Sequence, residues 1–159
     1  KWRKLVKNAF DGKEEGIILM CETKLTNDET APNINGYRFL GSNRTGQSGK
    51  HARAGVGILI HDSLGEETWT EKGKDFIAVG MTLFGKEFII ISVYVAHESV
   101  GSNLALFREV SEIIQRRGKK NSSHILVGGD MNAHLSAFAG TQNVRGAMTC
   151  LWNLQGGIS

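Results

Sequence analysis

The apolar residues of this sequence fall into short runs that are separated by polar, glycine-rich segments. Six runs have the length and composition of strands, and they lie at 16–20, 37–40, 56–61, 76–84, 87–95 and 124–127. The first run is wholly apolar between polar flanks, which predicts a central strand buried on both faces. Gly85 and Lys86 separate the fourth and fifth runs, which predicts a hairpin with a tight turn.

Two segments place apolar residues at helical spacing, with polar residues on the opposite face. One is the start of the chain, and the other spans 103–116, where the apolar positions are Leu104, Phe107, Val110, Ile113 and Ile114. A further helix is predicted in the tail at 145–155. Because strands follow one another in the middle of the chain without a helix between them, we expect mixed sheets rather than strict alternation of strands and helices.

Composition sets the scale of the molecule. With 159 residues and a hydrophobic share of 40%, the chain has the size and the apolar content of one domain. No apolar run approaches the roughly 20 residues of a membrane span, so no membrane partner is predicted. The chain starts at Lys1 without a methionine or an apolar leader, and we expect it to begin inside a longer protein. Cys21 and Cys150 permit one disulfide, but two free thiols of a reducing compartment are the favoured prediction.

The charge balance permits a polyanionic partner without requiring one, since the net charge is +3 and the pI is about 9.0. Arg44, Lys50 and Arg53 lie in a predicted loop and could contact DNA phosphates, although a solvated loop would have the same composition. The basic cluster at 116–120 is explained more simply by charge complementation at the end of a helix.

Two predicted strands each end by delivering a carboxylate. Glu22 follows the first strand, and Asp130 follows the last strand through Gly128 and Gly129. Each acid alone has an ordinary explanation, because Glu22 could be a solvated loop residue and Asp130 with Asn132 could form a turn. Together, at matched strand ends, they suit a hard divalent cation, and the glycines would let the backbone approach a ligand closely.

Several segments match known motifs in the right order. Residues 21–25 (CETKL) resemble the motif QETKL, residues 129–134 (GDMNAH) resemble GDFNAH, and residues 54–58 (AGVGI) resemble GGVGI. The sequence is therefore similar to the endonuclease/exonuclease/phosphatase superfamily from Leu5 onward. Residues 143–146 (NVRG) resemble the variant found in endonuclease domains of non-LTR retrotransposons. The resemblance implies an α/β fold, a two-sheet α/β sandwich with mixed sheets.

The resemblance also implies roles for individual residues. Glu22 is the implied ligand of Mg²⁺, with Mn²⁺ as a possible substitute. Asp130 would orient or activate the attacking water, Asn132 would hydrogen-bond the scissile phosphate, and Tyr94 would contact the phosphate and stabilise developing charge. Arg44, Arg53 and His134 are weaker candidates for substrate binding, and a structural role is the favoured prediction for His134.

Two features of the family pattern have no counterpart in this sequence. The family has an Asn on a strand before Glu22, where this sequence predicts only a helix, and it ends in a Ser-Asp-His segment, whereas this chain stops at Ser159. We therefore expect residues 1–159 to form a single, incomplete domain with exposed sheet edges and marginal stability. Its expected partner is the missing C-terminal half of the domain or the rest of a parent polyprotein.

The predicted function is Mg²⁺-dependent hydrolysis of DNA phosphodiesters by a retrotransposon-type endonuclease domain, inside the cell and acting in the nucleus. Because parts of the family pattern are missing, we expect the isolated chain to be weakly active or inactive. Two alternatives stay open at the level of sequence. One is a catalytically dead remnant that at most binds metal or nucleic acid, and the other is a phosphatase of the same superfamily.

Overall fold

Two β-sheets and one long helix make up the described part of the chain. The computed structural model describes residues 15–25, 34–42, 55–96, 100–118 and 123–132. The first sheet is antiparallel, has the order β1-β3-β2, and consists of β1 (Ile17–Cys21), β2 (Tyr37–Ser42) and β3 (Val56–His61). A short 3-10 helix at Asp62–Leu64 follows β3.

The second sheet has four strands in the order β4-β5-β6-β7. It consists of β4 (Glu67–Lys72), β5 (Phe76–Leu83), β6 (Lys86–Tyr94) and β7 (Ser123–Asp130). The first three strands pair antiparallel, whereas β6 and β7 pair in parallel. Helix α1 (Val100–Arg117) lies between β6 and β7 in the chain, as a parallel connection requires. The predicted α/β fold with two sheets, one of them mixed, is confirmed.

The main core lies between the two sheets. Alternate residues of β3 and β5 point into it, together with one residue of β6; the buried members are Val56, Ile58, Ile60, Ile77, Val79, Met81, Leu83 and Ile90. The opposite face of the four-stranded sheet packs against α1 through Leu106, Val110 and Ile113. Strands β5 and β6 are therefore covered on both faces, which explains their nearly continuous apolar sequences.

The hairpin of β5 and β6 turns at Phe84 and Gly85, one residue earlier than predicted. Both residues have positive φ angles, 52° and 74°, as the turns that suit twisted hairpins require. The paired strands span 76–83 and 86–94, so the existence of this hairpin is confirmed.

Strand β1 differs from its prediction. It was expected at the centre of a sheet, but in the described part of the chain it pairs only with β3 and lies at an edge. All five of its residues are half-buried. Ile17 and Leu19 face the main core, while Ile18 and Met20 pack with Tyr37 and Leu59 on the other face. A wholly apolar run indicates that both faces of a strand are covered, but it does not indicate whether the strand pairs with one neighbour or with two.

Strand β4 had no counterpart in the prediction, because its sequence ETWTEK contains a single large apolar residue. Among the described strands it pairs only with β5 and lies at an edge, and charged residues are typical of such edges. Glu71 accepts hydrogen bonds from Arg116 and Arg117, and the Arg117 guanidinium lies 4.9 Å from the ring centre of Trp69. The two arginines therefore join the end of α1 to β4, in addition to any effect on the helix dipole.

Helix α1 is confirmed and is slightly longer than predicted. Its buried stripe differs, because Leu106 is buried whereas Leu104 and Phe107 are 52% and 47% exposed. No helix in the described ranges is long and apolar enough to cross a membrane. The helices predicted at the start and in the tail lie outside the described residues, as do Arg44, Lys50, Arg53, His134 and Cys150.

Candidate functional site

Three strand ends meet at one edge of the sandwich and bring together residues that are far apart in the sequence. Tyr94 ends β6 and Asp130 ends β7, and the parallel register places these two residues opposite each other. Glu22 follows β1 directly, in the other sheet. The Tyr94 hydroxyl donates a hydrogen bond of 3.3 Å to Glu22 Oε1. The structure therefore brings four of the seven predicted site residues, Glu22, Tyr94, Asp130 and Asn132, to the same edge.

The segment from Glu22 to Lys24 has an uncommon backbone conformation. Glu22 and Lys24 have φ angles of 53° and 54°, in the left-handed region that residues other than glycine seldom adopt. Thr23 between them is 6% exposed, and its amide donates to the Gly55 carbonyl at 3.1 Å. Strain of this kind persists where the surroundings fix it and is common at functional sites. Here it turns the Glu22 side chain towards Tyr94.

Gly55 is needed for the anchoring of Thr23. It has a φ angle of 85°, and a Cβ atom at this position would lie 2.5 Å from Thr23 Oγ1. Thr23 Oγ1 is buried and has no hydrogen-bond partner within the described ranges. Lys24 extends back towards Glu22, with 3.9 Å between Nζ and Oε2, and both side chains are about half-exposed or more. This ion pair is therefore worth at most about 1 kcal/mol.

Asp130, Met131 and Asn132 form a turn that the side chains stabilise. The Asn132 amide donates to Asp130 Oδ1 at 3.0 Å, and Asn132 has a φ angle of 43°. The Asn132 side-chain Nδ2 donates to the Val95 carbonyl at 2.6 Å, while the Val95 amide donates to the Asp130 carbonyl at 2.8 Å. The sequence allowed Asp130 and Asn132 to form a turn as an alternative to a functional role. This turn is present, and it lies at the site. One Asp130 oxygen is engaged, and a phosphate contact from Asn132 would use its other amide hydrogen.

The two glycines before Asp130 allow a close approach, but to the protein itself. A Cβ atom on Gly129, whose φ angle is 148°, would lie 1.9 Å from the Val93 carbonyl oxygen. A Cβ atom on Gly128 would lie 2.6 Å from Leu19 Cδ1. Strand β7 is therefore tightly packed against β6 and β1, and the close approach of this backbone to a ligand stays a prediction.

Hydrogen bonds between the two sheets lie directly behind the site. Cys21 Sγ donates to the Val93 carbonyl at 3.1 Å and accepts from the Asp130 amide at 3.2 Å. Ser92 is fully buried, and its Oγ donates to the Met20 carbonyl at 3.1 Å. The sequence prediction missed the roles of Cys21 and Ser92. The available signal was Cys21 itself, which stands where the motif QETKL has a glutamine.

The environment of the site affects two titratable groups. Burial raises the pKa of Tyr94, and the charge and hydrogen bond of Glu22 raise it further, while a hydrogen bond from Asn132 lowers it. Burial also raises the pKa of the Cys21 thiol, against the opposing effect of the Asp130 amide. Tyr94 is therefore a neutral hydrogen-bond donor at neutral pH, and Cys21 is a thiol rather than a reactive thiolate.

The two histidines in the described part of the chain lie elsewhere. His61 packs edge-on against Tyr37, with 4.9 Å between ring centres, and bonds Ser63. His124 lies 4.9 Å from the ring of Phe88, near the opposite end of β6. Within the described ranges no three His, Cys, Asp or Glu side chains form a group that could hold a metal. The site there is built from two carboxylates, an amide and a phenol.

Comparison with known proteins shows similarity of structure only. No family model matches the sequence, and no curated protein matches it. Among solved structures, the human Nocturnin catalytic domain with bound sulfate aligns with a TM-score of 0.60 and 15% identity, over 82% of this chain and 56% of that one. TDP2 from C. elegans aligns with a TM-score of 0.55 and 15% identity, over 82% of this chain and 42% of that one.

An endonuclease/exonuclease/phosphatase family protein from Leptotrichia buccalis gives a TM-score of 0.55 at 15% identity, over 83% of this chain and 61% of that one. This chain thus spans between 42% and 61% of the length of these three structures. The chain therefore has the fold of these structures, one of which is an endonuclease/exonuclease/phosphatase family protein, and this is the fold that the sequence motifs predicted. The closer resemblance to retrotransposon endonuclease domains stays a prediction.

Proposed function

We propose that this chain carries the site of a divalent-metal-dependent phosphodiesterase that acts on DNA. The observation that supports it most is the meeting of Glu22 and Tyr94, which are 72 positions apart in sequence, through a hydrogen bond of 3.3 Å at a sheet edge. Asp130 lies opposite Tyr94 in the parallel register at the same edge. An ordinary solvated loop gives no reason for two acids, an amide and a phenol to converge.

The donor set fits Mg²⁺ or Mn²⁺. Mg²⁺ prefers oxygen ligands and is usually held by one or two carboxylates, with water completing its coordination. Glu22 is the residue proposed to hold the ion, because its carboxylate is about half-exposed and fixed by a strained backbone. When bound, such an ion would polarise a phosphoryl oxygen and offset the negative charge that develops there.

The other residues have complementary roles in the proposal. Asp130 is a carboxylate that can orient a water molecule by accepting its hydrogen. Tyr94, whose pKa is raised, keeps its proton. It can donate its hydrogen bond to a phosphate oxygen instead of to Glu22. Asn132 is held by the Val95 carbonyl, and its other amide hydrogen, which faces the Tyr94 hydroxyl, would turn to the phosphate.

Several observations favour nucleic acid as the substrate. The sequence is mildly basic, with a pI of about 9.0. Its GDMNAH segment resembles the superfamily motif GDFNAH, and its NVRG segment resembles the variant found in retrotransposon endonuclease domains. The Nocturnin catalytic domain, which has a similar fold, binds sulfate, a tetrahedral oxyanion like phosphate. We further propose that the chain belongs to a retrotransposon polyprotein that acts on DNA in the nucleus.

The proposal is tested by nicking of supercoiled plasmid DNA with Mg²⁺. We expect slow nicking that requires the metal and falls by at least about 100-fold in Glu22→Gln, since the loss of one preorganised charge-stabilising group has effects of this size. Glu66→Gln is the matched control, because Glu66 is an exposed acid in the loop before β4. Equal nicking by the wild type and Glu22→Gln would refute the proposed role of Glu22.

A second candidate function is a non-catalytic module that binds metal or nucleic acid. One observation favours it. The family pattern includes a histidine in a Ser-Asp-His segment, whereas the two histidines in the described part of the chain, His61 and His124, lie away from the site. Mn²⁺ binding that depends on Glu22, without nicking at any enzyme concentration, would establish this alternative. Release of phosphate from a soluble phosphomonoester, with plasmid left intact, would instead indicate a phosphatase.

A further inference from the structure

The site is divided between the two sheets, and this division creates a positioning problem. Glu22 extends from the three-stranded sheet, whereas Tyr94 and Asp130 belong to the four-stranded sheet. Ladder hydrogen bonds fix neighbours within each sheet but do not fix the offset between sheets. The apolar core between the sheets is non-directional and tolerates small displacements better than hydrogen bonds do. A metal ligand, by contrast, must be placed within about half an ångström.

Cys21 and Ser92 supply directional contacts where the offset matters. Cys21 Sγ bonds the Val93 carbonyl and the Asp130 amide, at 3.1 and 3.2 Å. Ser92 Oγ bonds the Met20 carbonyl at 3.1 Å. All three contacts join β1 to β6 or β7 of the other sheet. Each of them involves Asp130 or a residue within two sequence positions of Glu22 or Tyr94.

We infer that Cys21 and Ser92 are positioning residues that hold the two sheets in register, so that Glu22 faces Tyr94 and Asp130. This inference deepens the proposed function, since it concerns the placement of the proposed metal ligand. Neither residue touches the reacting atoms. A thiol suits the place because it is small and weakly polar, and because it both donates and accepts at distances above 3 Å.

The inference predicts a graded effect on metal affinity. Cys21→Ala removes the partner of a backbone carbonyl and of a backbone amide, and loss of residues that orient a metal ligand typically weakens metal binding about 10- to 100-fold. We expect about 10-fold weaker Mn²⁺ binding. Cys21→Ser keeps a donor and an acceptor, so it should restore affinity to within about threefold of the wild type. Ser92→Ala loses one contact and should lie between the two.

The experiment measures Mn²⁺ affinity of the full chain by electron paramagnetic resonance, together with nuclear Overhauser contacts between the Tyr94 ring and the Glu22 side chain. Val79→Ala is the matched control, since Val79 is fully buried between the same sheets but has no polar role. Weaker binding and loss of the Tyr94–Glu22 contact in Cys21→Ala, with both kept in Val79→Ala, would support the inference.

The readouts separate this inference from the proposed function. If Glu22→Gln binds Mn²⁺ as well as the wild type, the proposed metal ligand is wrong, and the Tyr94–Glu22 contact alone decides the role of Cys21. If Cys21→Ala keeps that contact, or if Val79→Ala loses it equally, the positioning role is overturned. If Glu22→Gln weakens binding and Cys21→Ala does not, the metal site stands and the positioning role fails.

Discussion

Replacement of Gly129 by alanine should destabilise the fold more than replacement of any exposed glycine with a similar backbone. Gly129 has a φ angle of 148°, and a new Cβ atom would lie 1.9 Å from the Val93 carbonyl oxygen and 2.8 Å from its carbon. The conformational strain costs about 1–3 kcal/mol, and forcing a methyl group against a fixed backbone costs about 1–3 kcal/mol more. We therefore expect a loss of roughly 2–6 kcal/mol, from a total that is typically about 5–15 kcal/mol.

Gly85→Ala is the control that separates these two costs. Gly85 has a φ angle of 74°, but no atom of the residues that the structure describes lies within 4 Å of a Cβ atom placed there. Its replacement should cost only the left-handed conformation, about 1–2 kcal/mol. Both variants are compared with the wild type by urea unfolding that is followed by circular dichroism. An equal loss of stability in the two variants would refute the claim that β7 is packed against the Val93 carbonyl.

Two further predictions concern the site and the core. In a Tyr37→Phe background, where Tyr94 is the only tyrosine, Glu22→Gln should lower the pKa of Tyr94, measured by tyrosinate absorbance; an unchanged pKa would contradict their contact. Because the pKa of Tyr94 is raised on folding, its contribution to stability is complete below its unfolded value of 10.0 and is lost as the pH rises through the folded value. Ile58→Ala should cost about 2–5 kcal/mol in urea unfolding, while Leu104→Ala, at a residue that is 52% exposed, should cost about 0.5 kcal/mol; similar losses would contradict the assignment of the core.

The sequence predicted well those parts of the fold in which periodicity and burial coincide. Strands β3, β5 and β6 are covered on both faces, so their apolar runs marked them within a residue or two. Strand β4 was not predicted because Trp69 is its single large apolar residue, and its other contacts are the pairing with β5 and the hydrogen bonds of Glu71 with α1. Such long-range contacts leave no local pattern in the sequence.

The site could be predicted as a set of residues but not as a geometry. The motifs pointed to Glu22, Tyr94, Asp130 and Asn132, which the structure places together, while their chemical roles stay predictions. Nothing in the sequence indicated that the Asn132 amide group would bond the Val95 carbonyl. The contacts of Cys21 were equally hidden, because they depend on the offset between two sheets that only the packed structure defines.

The contacts that join the sheets have a consequence for the order of folding. Strands β4, β5 and β6 are neighbours in the chain, whereas Cys21 and its partners Val93 and Asp130 are 72 and 109 positions apart. Closing longer loops costs more entropy, so contacts between distant segments tend to form after local ones. We expect the β4-β5-β6 meander to form early and β1 to dock late. Changes at Cys21 would then accelerate unfolding and leave the folding rate nearly unchanged, and the site would be the last part of the molecule to assemble and the first to open.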